Sequence, residues 1–479
     1  MADSRYYSLK KMTLFPLAMA RQSKIIQFLL SIIFAYGCML WLTDPSFSHT
    51  QNSVLFLLFF AIALWITEAI PPFSVGIFVI GFLVVVMGTD SGQHAMRYVQ
   101  TWSDGVIWLF LGGFFLAQGM KKTHLDEALL RVLLPKFGRQ PHFVLLGLML
   151  TTAVISMLMS NTATTAMMIA TISPLFASLE NKSHFSKALL LGIPTAASIG
   201  GMGTIIGSAP NAIAVGALAS MGIHISFLEW MLIGVPISLL LIYFFWLILL
   251  RRYRIKQVPF TIELQVPEQH YVDHFIAKEM RLQKLIMISV LVVTLFFWLT
   301  SKWFGIPIAA VSGIPIVVLT MLGVIDADDV RSLPWDTLML VAGGLALGMA
   351  IQEQELATHF VDKLSHIELN FYGLMILFGF VTVLLSNFMS NTAATTILVP
   401  IGMSLMQLTS NASPVALPLV IALSASCALL LPVSTPPNAI AFSTGLIKQS
   451  EFRLGGFSMG VLGPIGSILW VLVITAIFN

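Results

Sequence analysis

Two nearly identical stretches, MSNTATT at residues 159–165 and MSNTAATT at residues 389–396, decide how the rest of this chain is interpreted. Each places small polar residues in the middle of a long apolar run. Each is followed by a second matched stretch, APNAIA at 209–214 and PPNAIA at 436–441, and each is preceded by a tryptophan and a Gly-Gly pair. Three motifs in the same order at nearly constant spacing indicate a duplicated unit of about half the chain.

The composition is that of a membrane protein. The chain has 479 residues, of which 57% are hydrophobic and 10% are charged, whereas soluble domains carry about 25% charged residues. Long apolar runs follow one another from end to end, which is typical of an all-α polytopic membrane protein. The net charge of +3 gives no reason to expect a nucleic-acid partner, so the expected environment is a lipid bilayer.

The duplication divides the chain into four parts. Residues 1–52 are predicted to form an N-terminal tail and the first helix, and residues 53–250 form the first repeat. A polar cytoplasmic connector follows at 251–284, and the second repeat occupies 285–479. We expect about 11 transmembrane helices.

Two pairs of interrupted elements fall inside the repeats. The apolar runs 143–178 and 371–409 each carry an MSNT motif at their centre, and one helix of that length would greatly exceed the hydrocarbon core of about 30 Å. We therefore predict two re-entrant helical hairpins with polar tips. Residues 188–220 and 415–446 contain Gly and Pro clusters, and each predicts a broken helix.

The basic residues give the orientation. Five Lys and Arg residues lie in 5–24, five in 121–139 and seven in 251–284, whereas 351–368 has one lysine and four acidic residues. The positive-inside rule then predicts a cytoplasmic N-terminus and an outside C-terminus, with hairpins that do not cross. The two halves would face opposite ways, as an inverted repeat.

A neutral binding site is expected where the two halves meet. Interrupted helices offer free N–H groups and carbonyls, and Ser, Asn and Thr side chains add ligands for anions and for cations. Lys and Arg are absent from 140–181, 188–250 and 364–447. The positive charge that balances an anion would therefore come with the ligands, and sodium ions bound together with the anion would meet that need.

These motifs, together with WITEAIP at 65–71 and LPVSTPPN at 431–438, resemble the divalent anion/sodium symporters, the family of sodium–dicarboxylate and sodium–citrate carriers. The resemblance covers essentially the whole chain. It implies a homodimer in which a mobile transport domain moves against a scaffold domain as an elevator. It also implies two sodium sites, one in each half.

Carried onto this sequence, the resemblance implies specific ligands. The substrate-binding residues would be Asn161, Thr162, Asn391, Thr392, Thr435 and Pro436. The sodium-binding residues would be Ser156, Ser160, Asn161, Gly207, Ser386, Met389, Asn391 and Ser434. Glu68, Asp104 and Asp336 are interpreted as structural, because each falls near a predicted helix end.

The sequence thus predicts a secondary transporter that takes up C4-dicarboxylates such as succinate, malate or fumarate with sodium. The alternatives are a sodium-independent dicarboxylate or 2-oxoglutarate exchanger and a sodium-coupled citrate or sulfate carrier. A membrane enzyme would need a nucleophile–base pair or a metal-binding cluster, and the membrane runs show neither. No organic cofactor is expected, and the expected location is the bacterial cytoplasmic membrane.

Overall fold

The computed structural model of the chain describes residues 2–88, 92–138, 140–178, 184–255, 274–356, 370–406 and 413–478. Within these ranges the secondary structure is helical, without strands. The all-α class predicted from the sequence is therefore confirmed. Parts of the predicted connector (256–273), of the acidic stretch (357–369) and of the second hairpin (407–409) lie outside the described residues.

The first half of the chain contains α1 to α11. Their bounds are α1 Ala2–Leu42, α2 His49–Thr67, α3 Pro72–Gly88, α4 Gly92–Gln100, α5 Gly105–Lys122, α6 Leu125–Leu133, α7 Pro141–Ser156, α8 Asn161–Ser178, α9 His184–Gly200, α10 Ala209–Ser220 and α11 Phe227–Tyr253.

The second half contains α12 to α20. Their bounds are α12 His274–Phe304, α13 Ile308–Met321, α14 Ala327–Arg331, α15 Trp335–Glu353, α16 Phe371–Ser386, α17 Asn391–Met406, α18 Ala416–Ala425, α19 Pro436–Ser443 and α20 Gln449–Phe478.

The interrupted elements are where the sequence predicted them. α7 and α8 form one helical hairpin and α16 and α17 form the other, each with an MSN motif at its turn. α9 and α10 are the two parts of the first broken helix, joined by the 3₁₀ turns Gly201–Gly203 and Ile205–Gly207. α18 and α19 are the corresponding parts of the second, joined by an irregular segment at 426–435.

Helix length and composition fit a chain that crosses a membrane several times. Among the described residues, seven helices have the length and apolar composition needed to cross, and several shorter apolar helices accompany them. The shorter group includes α7, α10, α16 and α18. The figure of about 11 transmembrane helices stays a prediction, since 10–17 residues fall short of the roughly 20 that a span requires.

The two halves interlock through their broken helices. α10, which follows the break in the first half, packs against α17 and α18 of the second half. α19, which follows the break in the second half, packs against α8 and α9 of the first half. Each hairpin also packs against the helix that precedes the break in its own half. The hairpins and broken helices therefore form one continuous packed unit.

The paired Gly-Gly motifs mark close helix contacts on α5 and α15. A methyl group at Gly112 would lie 2.8 Å from Ser312 Cβ on α13, and one at Gly343 would lie 2.2 Å from Gly76 Cα on α3. Both distances are too short for a side chain, so only glycine allows these helix pairs to approach so closely. The third repeated motif thus has a packing role.

The second glycine of each pair faces the interlocked unit. A methyl group at Gly113 would lie 3.1 Å from Ile206 in the first break, and one at Gly344 would lie 2.4 Å from Thr396 Cγ2 on α17. α5 and α15 therefore contact ordinary helices on one face and the interrupted elements on the other.

We expect Gly343→Ala to destabilise the protein, because the added methyl group would overlap the α3 backbone at Gly76. Such overpacking costs about 1–3 kcal/mol. Gly81→Ala on α3 is the control, since a methyl group at Gly81 meets no atom within 4 Å. Thermal unfolding of the purified protein in detergent should give a lower midpoint for Gly343→Ala alone; equal midpoints for the two variants would contradict the contact.

Candidate functional site

Each hairpin turns through a short tip that starts a new helix. Ser160 Oγ accepts a hydrogen bond from Ala163 N at 3.2 Å, and Ser390 Oγ accepts one from Ala393 N at 3.1 Å. The two serines are therefore the N-caps of α8 and α17. Asn161 and Asn391 occupy the first helical position, where the backbone N–H has no partner within the helix.

The broken helices are held open by a matched pair of asparagines. Asn211 Nδ2 donates to the carbonyl oxygens of Gly201 at 2.8 Å and Thr204 at 2.7 Å. Asn438 Nδ2 donates to Leu429 O at 3.3 Å and Leu431 O at 3.1 Å. These bonds satisfy carbonyls that lost their helical partners, so the Pro-Asn motifs support the unwound segments.

Each tip is also tied to the break in its own half. In the first half the Thr204 hydroxyl donates to Met157 O. In the second half Leu430 N donates to Asn387 Oδ1 at 2.9 Å. The same connection is thus made in both halves, but the side chain comes from the break in one and from the tip in the other. Because the two side chains are not at equivalent positions, a comparison of the repeated motifs does not identify Thr204 or Asn387.

A compact group of oxygen atoms lies behind the first tip. Ser156 Oγ lies 2.7 Å from Ala197 O and 2.6 Å from the Asn161 side-chain amide. The same end of that amide lies 3.1 Å from Ala197 O and 3.3 Å from Gly207 O. With Nδ2 at this position, the two N–H groups of the amide have three oxygen acceptors within reach. With Oδ1 there, four oxygens come together, which is the ligand type that hard cations prefer.

The corresponding oxygen atoms behind the second tip make fewer hydrogen bonds. Ser386 Oγ and Asn391 Oδ1 are both buried, and neither has a hydrogen-bond partner. Buried polar atoms normally have partners, so these two oxygens fit a site that a cation completes. Met389 and Ser434 lie nearby on the cavity wall.

Both tips and both breaks line one cavity of about 940 Å³. The predicted residues Ser160, Asn161, Thr162, Gly207, Met389, Asn391, Thr392, Ser434, Thr435 and Pro436 all lie on its wall. Ser156 and Ser386 do not; they are fully buried at the ends of α7 and α16. The structure thus brings together, around one space, segments that are more than 200 residues apart in sequence.

Four helices begin at this cavity. The wall includes the first residues of α8, α10, α17 and α19. Each helix start carries partial positive charge and free N–H groups, an arrangement that binds anions. Pro436 and Pro437 lack N–H groups, so at α19 the dipole contributes more than hydrogen bonding. The free donors therefore come mainly from α8 and α17.

Charged side chains reach the cavity only from outside the interrupted elements. Among the described residues that line it, these are Glu68, Lys121 and Asp336. Glu68 ends α2 in the left-handed conformation with φ of 49°, and Asp336 lies in the first turn of α15. Both lie at helix ends, as their structural interpretation predicted, and both also lie on the cavity wall. Asp104 instead caps α5 by accepting from Val106 N at 2.8 Å, as its interpretation predicted.

The fold is similar to that of solved transporters. MtrF of Neisseria gonorrhoeae, described as one of a class of antimetabolite efflux pumps, matches with a TM-score of 0.57 over 86% of this chain and 96% of its own, at 11% identity. The YdaH transporter of Alcanivorax borkumensis matches with a TM-score of 0.53 over 85% and 98%, at 12% identity. At these identities the similarity shows the fold alone, that of a polytopic membrane transporter.

The sequence relationship is more specific. The profile of the sodium:sulfate symporter transmembrane region matches residues 22–478, so the chain belongs to that family. An uncharacterized transporter of Haemophilus influenzae is 30% identical over 89% of this chain and 93% of its own. The sodium-dependent dicarboxylate transporter SdcS of Staphylococcus saprophyticus is 29% identical over 85% and 83%. The chain is therefore a membrane transporter of the sodium-coupled anion class and not an enzyme.

We expect Asn211→Ala to destabilise the break, because the carbonyls of Gly201 and Thr204 would lose their buried donor. Leaving buried groups unpaired costs about 1–3 kcal/mol each. The control is Ser220→Ala at the far end of α10, whose hydroxyl bonds only to Ala217 O within its own helix. The thermal unfolding midpoint should fall for Asn211→Ala and stay unchanged for Ser220→Ala. Equal midpoints for wild type and Asn211→Ala would show that the break is held by other contacts.

Proposed function

We propose that the protein takes up C4-dicarboxylates such as succinate together with sodium ions. The observation that carries this proposal is the cavity where four helix N-termini from the two halves meet without a charged side chain at either tip. Such a site attracts an anion, yet it leaves most of a dianion's charge unbalanced. Sodium ions bound at the oxygen groups behind the tips supply the missing positive charge.

The duplication favours a dicarboxylate over sulfate. Asn161 and Thr162 begin one helix, and Asn391 and Thr392 begin the other. Two matched sets of donors suit an anion with two separated carboxylates, one for each tip. Sulfate has a single anionic centre and therefore offers no second carboxylate for the other tip. The staphylococcal relatives are named sodium-dependent dicarboxylate transporters, which agrees with this choice.

The proposed transport domain comprises α7 to α10 and α16 to α19, and the other helices form the scaffold. The packing of α10 and α19 across the halves supports this division, because it joins the interrupted elements into one unit. The glycine faces of α5 and α15 border that unit. The unit would carry the site across the membrane as an elevator, with two copies of the chain forming a homodimer and each N-terminus in the cytoplasm.

Purified protein in proteoliposomes should accumulate labelled succinate when a sodium gradient is directed inward. Uptake should vanish with potassium in place of sodium, and reversing the gradient should drive efflux. Exchange of internal for external succinate at full rate without sodium would instead identify the exchanger. Competition by citrate, sulfate and 2-oxoglutarate measures substrate preference, and stronger inhibition by sulfate than by malate would contradict the dicarboxylate assignment.

We expect Asn161→Ala and Asn391→Ala each to reduce succinate uptake to background, because each removes a ligand at one tip. Asn370→Ser is a matched control: Asn370 lies in the same hairpin as Asn391 but at its exposed far end, where serine can keep the cap on α16. The readout is initial uptake rate normalised to reconstituted protein. Uptake at the wild-type rate in either tip variant would refute the assignment of that tip.

A further inference from the structure

Ser198 is a buried serine on the cavity wall that neither the sequence motifs nor the family resemblance singles out. It lies near the end of α9, just before the first break, and lines the cavity together with both tips. Its side chain is 1% exposed. Its hydroxyl has no hydrogen-bond partner within the protein.

The Ser198 hydroxyl lacks a bond that many buried serines and threonines in membrane helices make. Such residues usually donate to the carbonyl one turn earlier, as Thr152 does to Leu148 O at 2.6 Å. Ser198 makes no such bond. A buried hydroxyl without a partner is unfavourable, so a partner supplied by a ligand is the simplest physical reason for its presence at a binding cavity.

Very few residues both have a buried polar atom without a partner and lie on the cavity wall. Several buried polar atoms in the described part of the chain lack a partner, but in that part only Ser198 and Asn391 combine such an atom with a position on this cavity wall. Asn391 was predicted from the sequence to bind substrate. Ser198 satisfies the same two conditions without carrying a repeated motif.

The duplication explains why sequence comparison passes over Ser198. Aligning the two halves on Asn211 and Asn438 pairs Ser198 with Ala425. The hydroxyl is therefore present in the first half alone. A search for motifs that occur in both halves does not find a residue that is present in one half alone.

The neighbours of Ser198 indicate which group it binds. α9 packs against α8 and α19, and both of those helices begin at the cavity. The preceding residue, Ala197, contributes its carbonyl to the oxygen group behind Asn161. Ser198 thus belongs to the end of the cavity formed by the first tip.

We propose that the Ser198 hydroxyl donates a hydrogen bond to the substrate carboxylate held by Asn161 and Thr162. The inference rests on the proposed transport of a dicarboxylate. Ser198 then adds a third side-chain donor to Asn161 and Thr162 at the first-half end of the cavity.

The test is Ser198→Ala in proteoliposomes at saturating sodium. Losing a hydrogen bond to a charged group should raise the KM for succinate about ten-fold. The maximal rate and the sodium concentration for half-maximal uptake should stay as in wild type. The thermal midpoint without substrate should not fall, because the alanine breaks no bond within the protein.

Ser424→Ala is the matched control. Ser424 lies on α18, the equivalent helix of the second half, and its hydroxyl is also fully buried and without a partner, but it does not line the cavity. Its replacement should leave the KM for succinate unchanged. Stabilisation against heat by added succinate gives a second readout, which should be smaller in Ser198→Ala than in wild type.

An unchanged KM in Ser198→Ala overturns the proposal, and so does a lower maximal rate at unchanged KM. If the variant does not transport, equal stabilisation of variant and wild type by succinate also overturns it. A wild-type protein that neither transports succinate nor is stabilised by it would instead refute the proposed function, so the two failures are distinguishable.

Discussion

Helix ends inside a membrane protein are the constraint on which this structure depends. A helix that stops within the hydrocarbon layer exposes backbone groups that no water can satisfy. Here the starts of α8, α10, α17 and α19 meet at one cavity, and serine caps and asparagine amides hold them there. In the proposed function the N–H groups left over bind the anion, so the same interruptions that leave backbone groups unpaired also create the binding site.

In the proposed mechanism, the absence of fixed charge at the tips couples anion binding to sodium binding. An arginine beside Asn161 would bind a carboxylate strongly with no need for sodium, and transport would lose its driving force. In the proposed mechanism, cations at the neighbouring oxygen groups, Ser156 and Ala197 in one half and Ser386 in the other, balance the charge of the anion. The charged residues on the wall, Glu68, Lys121 and Asp336, belong to other segments.

The two halves connect the break to the hairpin tip with different atoms. Thr204 ties the first break to its tip through a hydroxyl, whereas Asn387 ties the second through an amide. Ser198 has no counterpart, since alanine occupies that position in the second half. A duplicated fold therefore keeps the geometry of its elements while the polar contacts diverge, and the resulting asymmetry suits a substrate whose two ends need not be held alike.

The helical class, the duplication, the interrupted elements and the polar motif residues of the cavity wall could all be predicted from the sequence, because apolar length and repeated polar motifs are local properties. By contrast, the packing of α10 against the second half and of α19 against the first is visible in the three-dimensional fold alone. That fold also determines that Glu68 reaches the cavity and that Ala197 contributes a backbone oxygen. Backbone ligands and contacts between distant segments leave no mark in residue type, since any side chain there carries the same carbonyl.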